Sequence, residues 1–469
     1  MPDTIETVFP ATARIADFVV DAKFEDIPAA VVATGKSHFL DALGLGLAGA
    51  VAPGSRIIRD YLGDLGVAIG GETVFGSDRR MPARFAAFAN GAAMHAHCYD
   101  DTTPQHLPDR NGGVHASGCV TAAVMAMGER QRVTGKKLIE AYQIGVEVSS
   151  RLNHAIDNRH YSGGFHATGT INVFGAATAA ARLLGQDGAT VRTTLGIAAS
   201  ESSGVRENFG TMTNPFHSGH AAECGIVAAE LAGRGFTAAT NVFEATRGFF
   251  SAAGGGFDPD PLINGLGKPW AFENPGIWLK PYPSGALMHP AMKVLTRIRQ
   301  ERSLTPDAIR QVRIRTNRKI ANILLHNQAR DWLEAKFSMP FCCAAVLLRG
   351  RAGLNEFNDD FVRSADVQAM MEKIDYSAYE TIEPGYTNTT TLIELELTDG
   401  SVLTERVDFP KGSPQDPMTF EEVADKFREC AKYAAWPSAA AEEAIGLVRD
   451  LEKLDDASKL ARLFGSSTN

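Results

Sequence analysis

IPAAVVATGKSHFLDALGLGLAG, residues 27–49, carries two incompatible messages. Its last six residues, GLGLAG (44–49), match the G-x-G-x-x-G pattern that holds a dinucleotide pyrophosphate where a strand runs into a helix. The residues before them place apolar side chains at helical spacing from Pro28 onward, with no strand leading into the glycines. Glycines inside a helix do something else: they let a neighbouring helix approach closely. The stretch therefore predicts a helix in a close-packed bundle and no nicotinamide cofactor.

The surroundings agree with a bundle. Over the first ~265 residues the apolar periodicity is helical throughout. GKKLIEAYQIGVEVSSRL from 135 follows Thr134 as an N-cap, TINVFGAATAAARLLG from 170 ends at Gly185, and PFHSGHAAECGIVAAELAG from 215 ends at Gly233. The character changes after Gly254-Gly255-Gly256. IRQVRIRTN (309–317) alternates like a strand, and TTLIELELTDGSVLTERVDF (390–409) reads as two strands turning at Asp399-Gly400. Helical stretches begin between them at Ala286 and Trp332. Thr419 with Glu422 then forms a capping box for two late helices free to pack back on the first bundle. The expected fold is mainly α: a large all-helical domain built from both chain ends (1–267 and 413–469) with a smaller inserted α+β domain (268–412).

Composition narrows the function classes. Hydrophobic residues make up 44% and charged residues 22% of 469, the balance of an ordinary globular protein, and the net charge of -9 argues against a nucleic-acid footprint. Six scattered cysteines form neither a zinc cage nor a disulfide framework. Residues 1–18 show no secretory leader, and no apolar run reaches the ~18–20 residues of a membrane span. The expected compartment is the cytoplasm, with no membrane partner.

The densest chemistry lies in HAHCYDDTTPQHLPDRNGGVHASG (95–118), with four histidines and three aspartates. A metal-dependent hydrolase would use His95, His97, Asp100, Asp101, His106 and His115. His95-x-His97 works as a metal pair at the end of a strand, but the preceding ARFAAFANGAAM is helical, and on a helix positions two apart diverge by ~200°. His166, just before Thr168-Gly169-Thr170, stands where a helix begins. Backbone N–H groups and the helix dipole there favour a carboxylate, and histidine titrates near neutrality, so proton transfer beside an anion is the natural reading.

Several motifs in order carry a resemblance that spans almost the whole chain. They are ANGAAMHAHCYDDT (89–102), HASG (115–118), GFHATGT-x-x-x-FGAA (164–177), GTMTNPFHSGHAA (210–222), LKPYPSGALMH (279–289) and KFSMPF (336–341). Together they resemble the MmgE/PrpD family of 2-methylcitrate dehydratase, cis-aconitate decarboxylase and iminodisuccinate epimerase. The resemblance implies a homodimer, a metal-free site between the domains, and His115, His166 and His289 as catalytic histidines. It also implies substrate-binding roles for Asp100, Asp101, Thr102, Thr168 and Lys280.

Three departures stand out. Cys98 replaces an aspartate of the decarboxylases, Asn214 replaces lysine in the T-K-P segment, and Phe341 stands where tyrosine is common. All three are expected near substrate, and the loop 103–114 reads as longer than usual. Losing lysine at 214 removes a fixed positive charge that Asn cannot replace, which predicts a change in the family's tricarboxylate chemistry.

All the family's reactions protonate or deprotonate a carbon beside a carboxylate or imine. Here three histidines can act as base and acid, with Lys280, the 168–170 helix start and, more weakly, Arg206 receiving charge. The expectation is a lyase without cofactor or metal, dehydrating a small carboxylate. Epimerisation by two opposed histidines is the alternative, and a hydrolase or a binding-only homologue are further ones. His95 and His97 are read as lining their helix, His217 and His220 as caps, and His154, His160 and His326 as structural or surface residues.

Overall fold

The computed structural model describes residues 9–104, 113–321, 324 and 326–465. The chain forms two compact units. The first comprises residues 1–96, 100–277 and 419–469, and the second comprises residues 97–99 and 278–418. The architecture is mainly α, as expected. Among the described residues no helix is long and apolar enough to cross a membrane.

The first unit is built on seven principal helices: α1 (Ala29–Ala50), α2 (Ala83–His95), α3 (Ala116–Gln131), α4 (Gly135–Ala155), α5 (Asn172–Leu183), α6 (Gly188–Glu201) and α7 (Thr213–Ala232). GLGLAG lies inside α1, and its glycines are contact points. A Cβ on Gly44 would fall 2.9 Å from the Phe427 ring, and one on Gly49 would fall 1.8 Å from the Ala93 carbonyl oxygen. The pattern that could have been a pyrophosphate loop is therefore a helix crossing. Helix starts follow the sequence signals closely. Thr134 accepts from Lys137 N at 3.3 Å, and the Thr419–Glu422 box caps the helix Phe420–Tyr433. That late helix packs back on α1, where Lys426 meets Asp41 at 2.6 Å in a buried ion pair.

The helix expected from Thr170 begins at Asn172, because Thr170 closes the separate turn Ala167–Thr170 and the chain kinks at Ile171. Gly185 takes the left-handed conformation past its end, φ 66°, as a C-terminal stop should.

The second unit holds a four-stranded sheet formed by β1 (Ile309–Thr316), β2 (Ile374–Ala378), β3 (Thr391–Leu397) and β4 (Val402–Val407), in the order β2-β1-β3-β4. The β3–β4 hairpin turns at Asp399-Gly400, with Gly400 at φ 87°, as its sequence predicts. β2 runs parallel to β1 and was not anticipated. Against the sheet pack α8 (His289–Glu301) and α9 (Met339–Arg349), through a core that includes Met292, Leu295, Val312, Ile314, Phe341 and Leu395. The stretch from Trp332 is two helices, because Pro340 lacks an N–H and Ser338 caps a new start by accepting from Phe341 N at 3.2 Å.

The α2–α7 crossing positions the site. Gly91 and Gly219 meet there backbone to backbone, and a Cβ on Gly219 would fall 2.3 Å from the Phe88 carbonyl oxygen and 2.9 Å from Ala92 N. In an exposed helix Gly→Ala gains about 1 kcal/mol. At 219 the sign reverses, because the new methyl meets main chain that cannot rotate away. Gly219→Ala is expected to destabilise by about 1–3 kcal/mol, read as a lower urea midpoint at unchanged slope.

Candidate active site

Four histidines converge in the first unit. His95 is the last residue of α2, and its ring centroid lies 5.3 Å from that of His115 and 5.8 Å from that of His166. The centroids of His166 and His217 are 5.2 Å apart. His95, His166 and His217 are buried, whereas the His115 side chain keeps 21% of its surface exposed.

A short antiparallel ladder delivers His115. Thr103 pairs with Val114, so the chain returns beside the Asp100-Asp101 pair just as α3 begins, with His115 at its N-cap position. His115 Nδ1 sits 2.5 Å from the Asp101 carbonyl oxygen. A carbonyl only accepts, so Nδ1 carries a proton, and in the neutral form of the ring the lone pair is at Nε2. The same logic applies to His95, whose Nδ1 lies 2.6 Å from Asp100 Oδ2. Its Nε2 is buried without a hydrogen-bond partner among the described residues.

The two aspartates hydrogen-bond neighbouring side chains. The Asp101 carboxylate accepts from His38 Nδ1 at 2.9 Å, from Ser117 Oγ, and from Ser117 N at 3.3 Å, while Tyr142 donates to Ser117 Oγ at 2.7 Å. Both Asp100 and Asp101 are buried. Asn172 donates to the His115 carbonyl oxygen at 2.6 Å, and the buried Thr168 accepts from His115 N at 3.4 Å. Thr168 thus holds the His115 backbone. Thr102 is half-buried.

His166 caps the turn Ala167–Thr170, whose Gly169 and Thr170 amides donate to its carbonyl oxygen at 2.9 and 3.1 Å. Its Nδ1 meets His217 Nδ1 at 2.9 Å, so one ring donates and the other accepts. Burial holds the His166 pKa well below the usual histidine value. Repulsion from His95, His115 and His217 adds to this, and Asp100 opposes it. Burial brings His217 down to about 4, reinforced by His95 and His220. Both rings are therefore neutral at pH 7.

Sequence reading missed His217 and His95. His217 lies inside α7, not at its cap, and Asn214 and His217 stand i and i+3 on one helix face. That spacing was the available signal. His160 is structural as expected: its Nε2 lies 2.9 Å from Thr170 Oγ1, its ring stacks on Phe165, and burial lowers it to about 4. Arg206 stacks on Tyr161, with its Cζ 3.8 Å from the ring centroid.

The other expected residues belong to the second unit. His289 is buried with its Nε2 3.2 Å from Ser284 Oγ and its ring edge-on to Tyr282. Lys280 donates to the Cys98 carbonyl oxygen at 3.0 Å, and Cys98 itself is held at φ 53°, a left-handed conformation unusual for a side-chain-bearing residue. Phe341, expected near substrate, belongs to the hydrophobic core of this unit. It is fully buried in the core against Phe357 and Phe361, a packing residue. His106 lies outside the described residues.

Family models match most of the chain. The MmgE/PrpD N-terminal domain matches residues 13–262, and the MmgE/PrpD C-terminal domain matches residues 282–453. The chain belongs to the MmgE/PrpD family. Human cis-aconitate decarboxylase is 29% identical over 448 residues, covering 92% of this chain and 90% of that protein. The mouse cis-aconitate decarboxylase is 27% identical, covering 97% and 93%, and that of Aspergillus terreus is 24% identical, covering 97% and 95%.

The depressed histidines make stability depend on pH. In the unfolded chain a histidine binds its proton near pH 6.5, whereas His217 in the fold resists until about 4. Its contribution is complete above pH 6.5 and is lost as pH falls toward 4, by about 1–3 kcal/mol. Urea midpoints measured across that window are expected to fall with pH in the native protein. The slope should flatten in His217→Gln, without vanishing, because His160 and His166 act in the same direction.

Proposed function

We propose that this chain is a lyase that moves a proton at a carbon beside a carboxylate of a small polycarboxylate, without a cofactor. The observation that carries the reading is the pairing of proton states. The Asp101 carbonyl fixes His115 with a basic Nε2, and a buried, neutral His166 stands in the same cluster, its tautomer coupled to that of His217. One ring removes a proton while the other donates one. If His217 donates to His166 Nδ1, His166 presents an Nε2–H as acid; if the tautomers exchange, it presents a base.

Decarboxylation of an unsaturated acid of the cis-aconitate kind is the leading reaction, because the named relatives are cis-aconitate decarboxylases. Loss of carbon dioxide leaves its bonding pair on the substrate carbon framework, and a histidine N–H delivers the proton that completes the product. Dehydration of a hydroxy acid is the second reading. His115 Nε2 would take the proton beside the carboxylate and a second ring would protonate the departing hydroxyl. Asn214, on the same face of α7 as His217, favours a substrate with a neutral group or one fewer charge at that point. His289 and Lys280 keep the roles the resemblance implies, and a cytoplasmic homodimer is part of the same reading.

The test is turnover in D2O with cis-aconitate, hydroxy-tricarboxylates and small dicarboxylates, following carbon dioxide release, water loss and deuterium at carbon separately. His115→Ala and His166→Ala are each expected to lower kcat by about 10²–10⁴-fold. In the native enzyme activity should persist below pH 6.5, because His166 stays neutral there. Deuterium-free substrate and product across the whole panel would sink the proposal.

A separate check concerns Asn214. Asn214→Lys is expected to leave turnover of the true substrate unimproved, or to lower it, by adding a cation one helical turn from His217. A gain in kcat/KM would show that the missing lysine, and not a different substrate, distinguishes this enzyme.

A further inference from the structure

A second group of ligand-capable side chains converges away from the reaction site. Glu201 is the last residue of α6, and His220 and Cys224 stand i and i+4 on α7. The Cys224 Sγ lies 3.3 Å from Glu201 Oε2, 3.6 Å from His220 Nδ1 and 3.5 Å from His220 Nε2. One donor atom from each residue falls within 4.8 Å of the other two.

These separations have a geometric meaning. Zinc bonds of ~2.3 Å to sulfur and ~2.0–2.2 Å to nitrogen or oxygen, opened to a tetrahedral angle, place the ligand atoms ~3.3–3.6 Å apart. The sulfur-to-nitrogen and sulfur-to-oxygen distances are those of tetrahedron edges. The donor set points the same way, since a thiolate with an imidazole suits zinc-class ions, whereas calcium and magnesium take oxygen. The surroundings suit entry of an ion. Cys224 is buried, His220 half-buried and Glu201 exposed, so the soft ligand lies inside and the carboxylate faces outward. His220 stacks on Phe216 at 5.4 Å and 18°, which orients its ring. The neighbouring Glu223 is occupied by Arg84, so the fourth position falls to water or another small ligand.

We propose that Glu201, His220 and Cys224 form a site for one zinc-class divalent cation, distinct from the four-histidine cluster. Binding converts the Cys224 thiol to a metal-bound thiolate and releases its proton to solvent. Thiolate and carboxylate together then neutralise the two charges of the ion. The site lies one turn along α7 from His217, but nothing in the proposed reaction requires the ion.

Full-length protein stripped with chelator and titrated with cobalt(II), then with zinc, tests this. One equivalent of cobalt should give a thiolate-to-cobalt charge-transfer band in the near ultraviolet, with release of a proton, and zinc should displace it. Cys224→Ser should abolish the band, and His220→Gln and Glu201→Gln should weaken binding by about tenfold or more. His115→Ala should leave it intact. Absence of binding, a band that survives Cys224→Ser, an unchanged affinity in His220→Gln, or a band lost in His115→Ala would each overturn the proposal. The first outcome would leave a plain Cys224–Glu201 hydrogen bond, and the last would move the metal to the histidine cluster. His220→Gln, at a half-buried position, guards against misreading a folding failure of the cysteine variant.

Discussion

The backbone contact between Gly91 on α2 and Gly219 on α7 is the constraint on which the histidine cluster depends. His95 lies one turn beyond Gly91, and His217 lies two residues before Gly219, so the crossing fixes both rings at once. Placement by main-chain contact differs from placement by interlocking large side chains. Alanine and glycine lose almost no rotamer freedom on burial, and a contact between two backbones has no soft coordinate through which to relax. Gly49 against Ala93 repeats the device on the other side of α2. The small-residue composition of the first unit is thus a way of holding polar groups in register inside a close-packed bundle.

What the bundle holds includes two imidazoles kept neutral, His166 and His217. Burying a charged histidine is costly, and repulsion from the neighbouring rings adds to that cost. Neutral histidine must still choose a tautomer, and here the neighbours choose. A carbonyl oxygen beside His115 and a carboxylate beside His95 can only accept, which fixes the proton at Nδ1 in both. His166 and His217 face each other with equivalent atoms, so their arrangement has two states. Which ring nitrogen carries the proton is therefore set by the acceptor chemistry around each ring.

Local signals were legible in the sequence because their physics is local. A hydroxyl at position 134, the 419–422 box and Asp399-Gly400 each act within a few residues, and each stands where it was expected. The glycines of 44–49 were also readable, because absence of a preceding strand is itself local. β2 was not legible: IDYSA is short, lies at the sheet edge, and owes its conformation to β1 some sixty residues earlier. His95 and His217 were undervalued for the same reason, since each gains meaning only from a partner brought by a distant helix. His115 and His166 were legible through the motifs around them.

The three departures from the family pattern have unequal weight once each is placed. At position 98 the structure uses the main chain: the carbonyl oxygen accepts from Lys280 and the residue takes a left-handed turn, so aspartate and cysteine can both satisfy the backbone requirement. At 341 a ring fills the core of the second unit among Phe357 and Phe361, where a hydroxyl would need a partner to offset its burial. Neither change alters the charge of the histidine cluster. Position 214 is different. It shares a face of α7 with His217, within one turn of the ring that sets the tautomer of His166. A lysine there would add positive charge to a region that already disfavours protonation, whereas asparagine supplies polarity alone. Of the three departures, residue 214 is therefore the one whose side chain shares a helix face with the histidine cluster.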